Sequence, residues 1–146
     1  MGTLGDLGGR YAAYTARLVD SVLVAPGHAS GELRRAVLAR AFGPHPLSTP
    51  ETSFLSETER GSGGEDLPPA LAAYVDKVAR HAYTVTDDDV AALQGAGNSD
   101  DALFELTVSA ALGAALGRLE RGLAALRGES SPPVPLSTMW RGGTRD

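Results

Sequence analysis

The segment from Leu103 to Leu126 constrains the fold more than any other, because its apolar side chains point in every direction of a predicted helix. Ser99 is a suitable N-cap for that helix, which extends to about Arg127 and spans roughly 40 Å. A helix without a polar face has to be surrounded by other helices. A chain of 146 residues is one domain by length and has few helices to offer. We therefore expect another subunit to supply part of the cover.

Small residues form a strip along the same predicted helix, with Gly113 and Gly117 beside Ala110 and Ala114. Such a strip lets a neighbouring backbone approach closely, although each glycine costs roughly 1 kcal/mol of helix propensity. The strip fits either a tight crossing inside one subunit or a crossing at or near a subunit interface. The interface interpretation is favoured here.

Composition favours an all-α fold and excludes several functions. Apolar residues make up 42% of the chain but aromatic residues only 5%, so the core consists of small aliphatic side chains that suit packed helices. The net charge of −5 and the lack of a basic stripe disfavour nucleic-acid binding. With no cysteine, disulfides and thiolate chemistry are impossible. We expect no signal peptide and no membrane-spanning stretch, and hence a cytoplasmic location.

Apolar spacing predicts two helices in the first half of the chain. The first extends from Arg10 to Val24 and ends at Pro26. The second begins after the N-cap Ser30 and stops at Gly43. The predicted apolar stripes are Tyr11, Tyr14, Leu18, Val22 and Ala25 on the first helix and Leu33, Val37, Leu38 and Ala41 on the second, with Arg34, Arg35 and Arg40 facing outward.

Two shorter helices are predicted before the long one. Pro68 and Pro69 open the third helix, since proline is tolerated in a first turn. Thr86 caps the fourth helix, which ends at the glycines 95 and 97. The expected buried stripe of the third helix is Leu71, Tyr74, Val75, Val78 and Ala82.

These helices predict one helical domain over residues 8–127. Residues 43–66 are rich in Pro, Ser, Thr, Gly and Glu, which indicates a flexible connector, with an ordered surface loop as the alternative. Residues 128–146 are predicted to be a disordered tail. Its single Trp140 either anchors on a neighbouring molecule or has no role.

Four motifs in the second half of the chain resemble the AhpD-like (carboxymuconolactone decarboxylase) family. They are Tyr74 to His81, Val85 to Leu93 with its Thr-Asp-Asp-Asp-Val start, Ala96-Gly97-Asn98-Ser99-Asp100-Asp101, and Phe104 to Thr107 at the start of the Ala/Leu-rich helix. The resemblance covers somewhat under half of the chain, and its motifs are caps and turns. It implies an all-α helical bundle that assembles into trimers or hexamers.

The redox chemistry of that family has no counterpart here. Active relatives carry a Glu, a Cys-x-x-Cys and a following His. The two cysteines form a reversible disulfide, and the His and Glu relay protons to the thiolate. Tyr11 and Tyr14 have the spacing of the two cysteines, and Leu18 stands where the His would follow. A tyrosine cannot form that disulfide, so the thiol peroxidase role does not carry over.

Two residues are candidates for acid–base catalysis. His81 ends the third helix near Asp76, Lys77 and Arg80, where an imidazole can shuttle protons or simply favour the helix dipole. Glu105 shares a helix face with several leucines, where partial burial would raise its pKa. An arginine partner or a solvated position is the alternative for Glu105.

No metal or cofactor is expected. Asp87, Asp88 and Asp89 are consecutive on a helix and diverge, so they suit the helix dipole rather than a metal ion. His28, His45 and His81 lack helical zinc spacing.

Two functions follow as hypotheses. The first is a non-redox AhpD-like subunit that acts through a homo-oligomer or a hetero-oligomer with a cysteine-bearing relative. The second is a cofactor-free enzyme in which His81 and Glu105 act on a small organic metabolite. A small-molecule binder without catalysis is a third possibility. Convergence of His81 and Glu105 in one cleft would favour the enzyme, and an exposed apolar face would favour the subunit.

Overall fold

The structure is a computed structural model that describes residues 6–43 and 67–128. Within these two ranges the chain is all-α and contains no strand, which confirms the predicted class. The helices are α1 (Asp6–Leu23), α2 (Gly31–Phe42), α3 (Pro69–His81), α4 (Asp87–Gly95) and α5 (Asp100–Leu126), with a 3-10 turn at Ala82–Thr84 after α3.

Four predicted helix starts are confirmed, three of them by hydrogen bonds, whereas α1 begins at Asp6 rather than at the predicted Arg10. The hydroxyl groups of Ser30 and Ser99 accept from backbone N–H groups in the first turns of α2 and α5. Thr86 caps α4, and Asp89 returns a bond to the Thr86 N–H to complete a capping box. Pro69 occupies the first turn of α3. Local sequence chemistry thus determines where these helices begin.

The closest contact in the fold lies between α2 and α5. A Cβ added at Gly113 would lie 3.0 Å from the carbonyl carbon of Leu38, and one added at Gly117 would lie 3.2 Å from that of Phe42. Only glycine allows this approach of two backbones. The small-residue strip therefore makes a tight crossing inside one subunit. Its position at or near a subunit interface stays a prediction.

The core has two parts on either side of this helix pair. The larger part joins α2, α3, α4 and α5, and includes Val37, Val75 and Leu106. The smaller part lies under α1 and consists of Val19, Leu23, Leu38, Phe42 and Leu116.

The buried side of α1 differs from the predicted stripe. Tyr11, Tyr14 and Leu18 are exposed, whereas Thr15, Val19 and Leu23 are buried. Both sets have helical spacing, so periodicity alone could not choose between them. The choice is made by Leu38, Phe42 and Leu116, which pack against Val19 and Leu23.

Three further side chains depart from prediction. Arg34 is buried rather than outward-facing. Arg40 is half-buried and forms a bidentate ion pair with Asp76 of α3, at 2.9 and 2.8 Å. Ala82 is exposed, because α3 ends at His81 and the chain turns into the 3-10 segment.

The expectation that no stretch spans a membrane stays a prediction. By length and composition α5 could cross a bilayer, and half of its apolar window is buried against the rest of the protein. Core helices of soluble proteins meet the same criterion, so this finding does not assign a membrane role.

Residues 44–66 and 129–146 lie outside the described residues. The predictions of a connector, a tail and a role for Trp140 fall there.

Candidate functional site

His81 lies at the C-terminal end of α3 and is exposed. Its ring contacts the edge of the Tyr83 ring, with the centroids 6.0 Å apart and the planes at 77°. A basic residue in a last turn interacts favourably with the helix dipole. This position fits the alternative in which His81 only favours the helix dipole. Among the described residues, no carboxylate pairs with His81 for proton transfer.

Glu105, in the first turns of α5, holds the turn between α1 and α2. Its carboxylate accepts hydrogen bonds from the backbone N–H groups of His28, at 2.8 Å, and Ala29, at 2.9 Å. A Cβ at Gly27 would lie 2.5 Å from the Glu105 Oε2, so a larger residue there would displace the carboxylate from its present position.

These hydrogen bonds set the ionisation of Glu105. The backbone N–H of Ala29, followed by that of His28, lowers the pKa of Glu105 below its ordinary value. The expectation of a pKa raised by burial is wrong in direction. A carboxylate held ionised in this way suits anchoring better than the protonated general acid of the enzyme hypothesis.

Arg34 completes the same corner of the protein. Its guanidinium donates to the carbonyl oxygens of Val22, at 2.7 Å, and Ala25, at 2.6 Å, at the end of α1. Sequence analysis missed this role, although a signal was present. Arg34 precedes Val37 and Leu38 by three and four residues, which places it on their buried face.

His28 flanks this corner on the exposed side. Its ring nitrogens lie 3.4 Å from Glu105 and 3.6 Å from Asp101. Among the described residues, however, no group of three His, Asp or Glu side chains is arranged to hold a metal ion. The acidic start of α4 likewise serves the helix. Asp89 accepts a hydrogen bond from Lys77 at 2.7 Å and another from the backbone N–H of the N-cap Thr86.

A groove of about 220 Å³ opens between the end of α1 and the start of α5. Val22, Ala25 and Pro26 line one side, and Phe104 and Val108 line the other. Glu105 and Arg34 also border the groove, but His81 does not. This groove therefore does not bring the two candidate catalytic residues together.

An exposed apolar stripe extends along α5 on the side away from α2. The outer stripe, as we name it, consists of seven residues, namely Phe104, Val108, Ala111, Ala115, Leu119, Gly122 and Leu126. Its large members are between 38% (Val108) and 71% (Phe104) exposed. The sequence predicted that α5 would need additional cover, and this stripe is the side that the other described helices leave open.

Helix α1 extends this apolar surface. Val22 of α1 lies across the groove from Phe104 and Val108, and Val19 packs near Leu116, so α1 and α5 are antiparallel. The exposed Tyr11, Tyr14 and Leu18 share the flank of α1 that borders the groove, by helical spacing from Val22 and Ala25. The outer stripe and these three side chains together form the outer face.

One buried group stands apart from these sites. Glu120 of α5 is 2% exposed, and neither carboxylate oxygen has a hydrogen-bond partner among the described residues. Burial of an unpaired polar group is costly. The described residues offer no compensating interaction.

Comparison with family models, with curated proteins and with solved structures returns no match for this chain. The AhpD-like resemblance thus stays a prediction. The functional conclusions rest on the geometry of the chain itself.

Proposed function

We propose that the protein acts through association, as a non-redox subunit that pairs with a second copy of itself through the outer face. The spacing of the outer stripe carries this proposal. Its residues follow one another in steps of four, three, four, four, three and four. This order is the same in both directions along the helix, so the stripe can pair with an antiparallel copy about a two-fold axis at Ala115.

The side chains on the stripe are complementary under that symmetry. Phe104 faces Leu126 of the second copy, Val108 faces Gly122, and Leu119 faces Ala111. Each large side chain near the axis thus meets a small one, which allows two helices to approach closely. Phe104, Ala115 and Leu126 are separated by steps of eleven residues, which correspond to about three turns of an α-helix. They therefore lie on nearly the same side of a straight helix, so contact can continue along the whole stripe.

The exposed area is adequate for a stable dimer. The same rotation brings α1 of one copy beside α1 of the other, so that Tyr14 and Leu18 join the contact. Scaled by their exposed fractions, the large apolar side chains of the outer face present on the order of 700 Å², near the roughly 800 Å² per partner of a standard interface. Monomeric proteins rarely expose a contiguous apolar patch of this size.

Two related hypotheses have less support. A hetero-oligomer with a cysteine-bearing AhpD-like relative would use the same face, but self-complementarity favours a second copy. The acid–base enzyme has less support, because His81 does not line the groove beside Glu105. A cytoplasmic location remains part of the proposal.

The first experiment is sedimentation velocity at micromolar concentration, with the full chain. We expect a dimer for the native protein and a monomer for Ala115→Glu, which places two carboxylates on the axis. Juxtaposed like charges cost several kcal/mol, so the dimer should weaken by at least about 100-fold. Ala73→Glu is the matched control, since Ala73 is exposed on α3, which contributes nothing to the outer face. A monomeric native protein would overturn the proposal.

The second experiment tests the antiparallel register by cross-linking. Because the chain has no cysteine, a single introduced thiol can form a disulfide only with another molecule. Oxidised Ala115→Cys should become a covalent dimer, while Ala73→Cys should not. A mixture of Val108→Cys and Gly122→Cys should cross-link more than either variant alone. A dimer in which Ala115→Cys stays uncross-linked would overturn this register.

A third measurement separates self-association from membrane binding. The native protein is sedimented with neutral and anionic phospholipid vesicles. We expect the dimer to stay in the supernatant, because its apolar faces are covered. A monomer that sediments with vesicles through Phe104 and Leu119 would show that lipid occupies the outer face, and would refute pairing with a second copy.

A further inference from the structure

A second cavity lies on the other side of α5, where the ends of α2 and α3 meet it. Its volume is about 160 Å³. Four arginines line it, namely Arg40 from α2, Arg80 from α3, and Arg118 and Arg121 from α5. Asp76 is the one carboxylate among the described residues that line it. Four described guanidinium groups therefore surround one described carboxylate, in a chain whose net charge is −5.

Structural roles account for two of these arginines. Arg40 forms the bidentate pair with Asp76 and thereby neutralises the charge of that carboxylate. Arg118 donates to the carbonyl oxygen of Ala79 in the last turn of α3. That bond satisfies a helix-end carbonyl and still leaves several of the guanidinium N–H groups of Arg118 for another acceptor.

Structural roles do not account for the other two. Arg80 and Arg121 are exposed, and neither has a hydrogen bond or ion pair among the described residues. They come from different helices and meet at the same cavity. Arg17 on α1, which is also exposed, lines neither of the two described cavities. This convergence indicates a site for negative charge.

We infer that the cavity bordered by Arg80, Arg118 and Arg121 binds a phosphate group, as inorganic phosphate or as part of a small phosphorylated metabolite. A guanidinium presents a planar set of donors that matches phosphate oxygens in pairs. The excess positive charge suits a dianion, and the volume suits a group of that size. This site is independent of the outer face, so its failure would not affect the proposed dimer.

The test is thermal unfolding of the full chain in about 10 mM sodium phosphate, compared with sodium chloride of equal ionic strength. We expect phosphate to raise the Tm of the native protein above its value in chloride. The double variant Arg80→Gln/Arg121→Gln should lose that difference. Arg17→Gln/Arg35→Gln removes the same charge elsewhere and should keep it. Equal phosphate effects in the two double variants, or none in the native protein, would overturn the site.

Isothermal titration then gives the affinity and the source of the phosphate group. Loss of Arg80 and Arg121 should weaken binding of inorganic phosphate by at least about tenfold. Glycerol phosphate is the second probe. Binding of phosphate alone would indicate a site for the free anion, and binding of both would indicate a phosphorylated metabolite. An unchanged affinity in the Arg80→Gln/Arg121→Gln variant would refute the assignment.

Discussion

Gly113→Ala is the most direct test of the α2–α5 contact. The added methyl group would overlap the carbonyl oxygen of Leu38 and lie 3.1 Å from the Ala41 Cβ. Because the obstructing atom belongs to the backbone, α2 as a whole has to shift. Overpacking of a core costs about 1–3 kcal/mol, and a rigid neighbour places this change near 3 kcal/mol. Alanine returns about 1 kcal/mol of helix propensity, so the net loss is about 2 kcal/mol.

The assay is urea unfolding followed by circular dichroism, with Gly122→Ala as the matched control. Gly122 lies in the same helix, and a Cβ there meets nothing within 4 Å. The control should therefore gain about 1 kcal/mol of stability, so the two variants should differ by about 3 kcal/mol. Since Gly122 belongs to the outer face, both are measured at several protein concentrations. A Gly113→Ala variant as stable as the native protein would refute the close backbone approach.

Three more substitutions test single interactions. Thr86→Ala should lower the free energy of unfolding by about 1 kcal/mol, measured in urea, because α4 loses its N-cap bond. The lowered pKa of Glu105 means that its contribution to stability is present above the unfolded pKa and lost as pH falls through the lower folded pKa. The free energy of unfolding of the native protein should thus decline below about pH 4.5. Glu105→Gln should lack the part of this decline that Glu105 causes. Urea unfolding curves recorded between about pH 6 and pH 3 measure both. Glu120→Met should raise the free energy of unfolding, measured in urea, by about 1–3 kcal/mol, because it removes a buried carboxylate that has no partner among the described residues. A loss of stability would show that Glu120 has a partner.

The sequence predicts helix positions well because their signals are local. Ser30, Thr86 and Ser99 each cap a helix through atoms a few residues away, and Gly43 and Gly97, with φ of 77° and 100°, mark helix ends. These interactions depend on neighbouring residues alone. The helix starts could therefore be found without knowing the fold.

Which side of each helix is buried could not be predicted as well. Tyr11 and Thr15 both belong to plausible helical stripes, and only the position of Phe42 and Leu116 decides between them. Arg34 was placed outward because charged residues are rarely buried. Its spacing from Val37 and Leu38 indicates the buried face, but its two carbonyl acceptors at the end of α1 depend on tertiary structure.

The candidate sites depend even more on tertiary structure. Glu105 was identified from its helix face, but its bonds to His28 and Ala29 join residues 77 and 76 positions apart. The cavity of arginines combines three helices and leaves no motif in the sequence. The outer stripe, by contrast, follows from the residue spacing of a single helix. The sequence predicted that α5 needs apolar neighbours on all sides, and the structure shows which side of α5 is exposed.

The pairing of α2 with α5 also determines when this protein can fold during synthesis. Phe42 leaves the ribosome well before α5 begins at Asp100, and at about 5–20 residues per second the interval lasts several seconds. During that time α1 covers Leu38 and Phe42 only in part, because Leu116 of α5 completes this part of the core and is made later. A chain interrupted before Asp100 would leave these side chains partly in water and would be a natural substrate for chaperones and proteases.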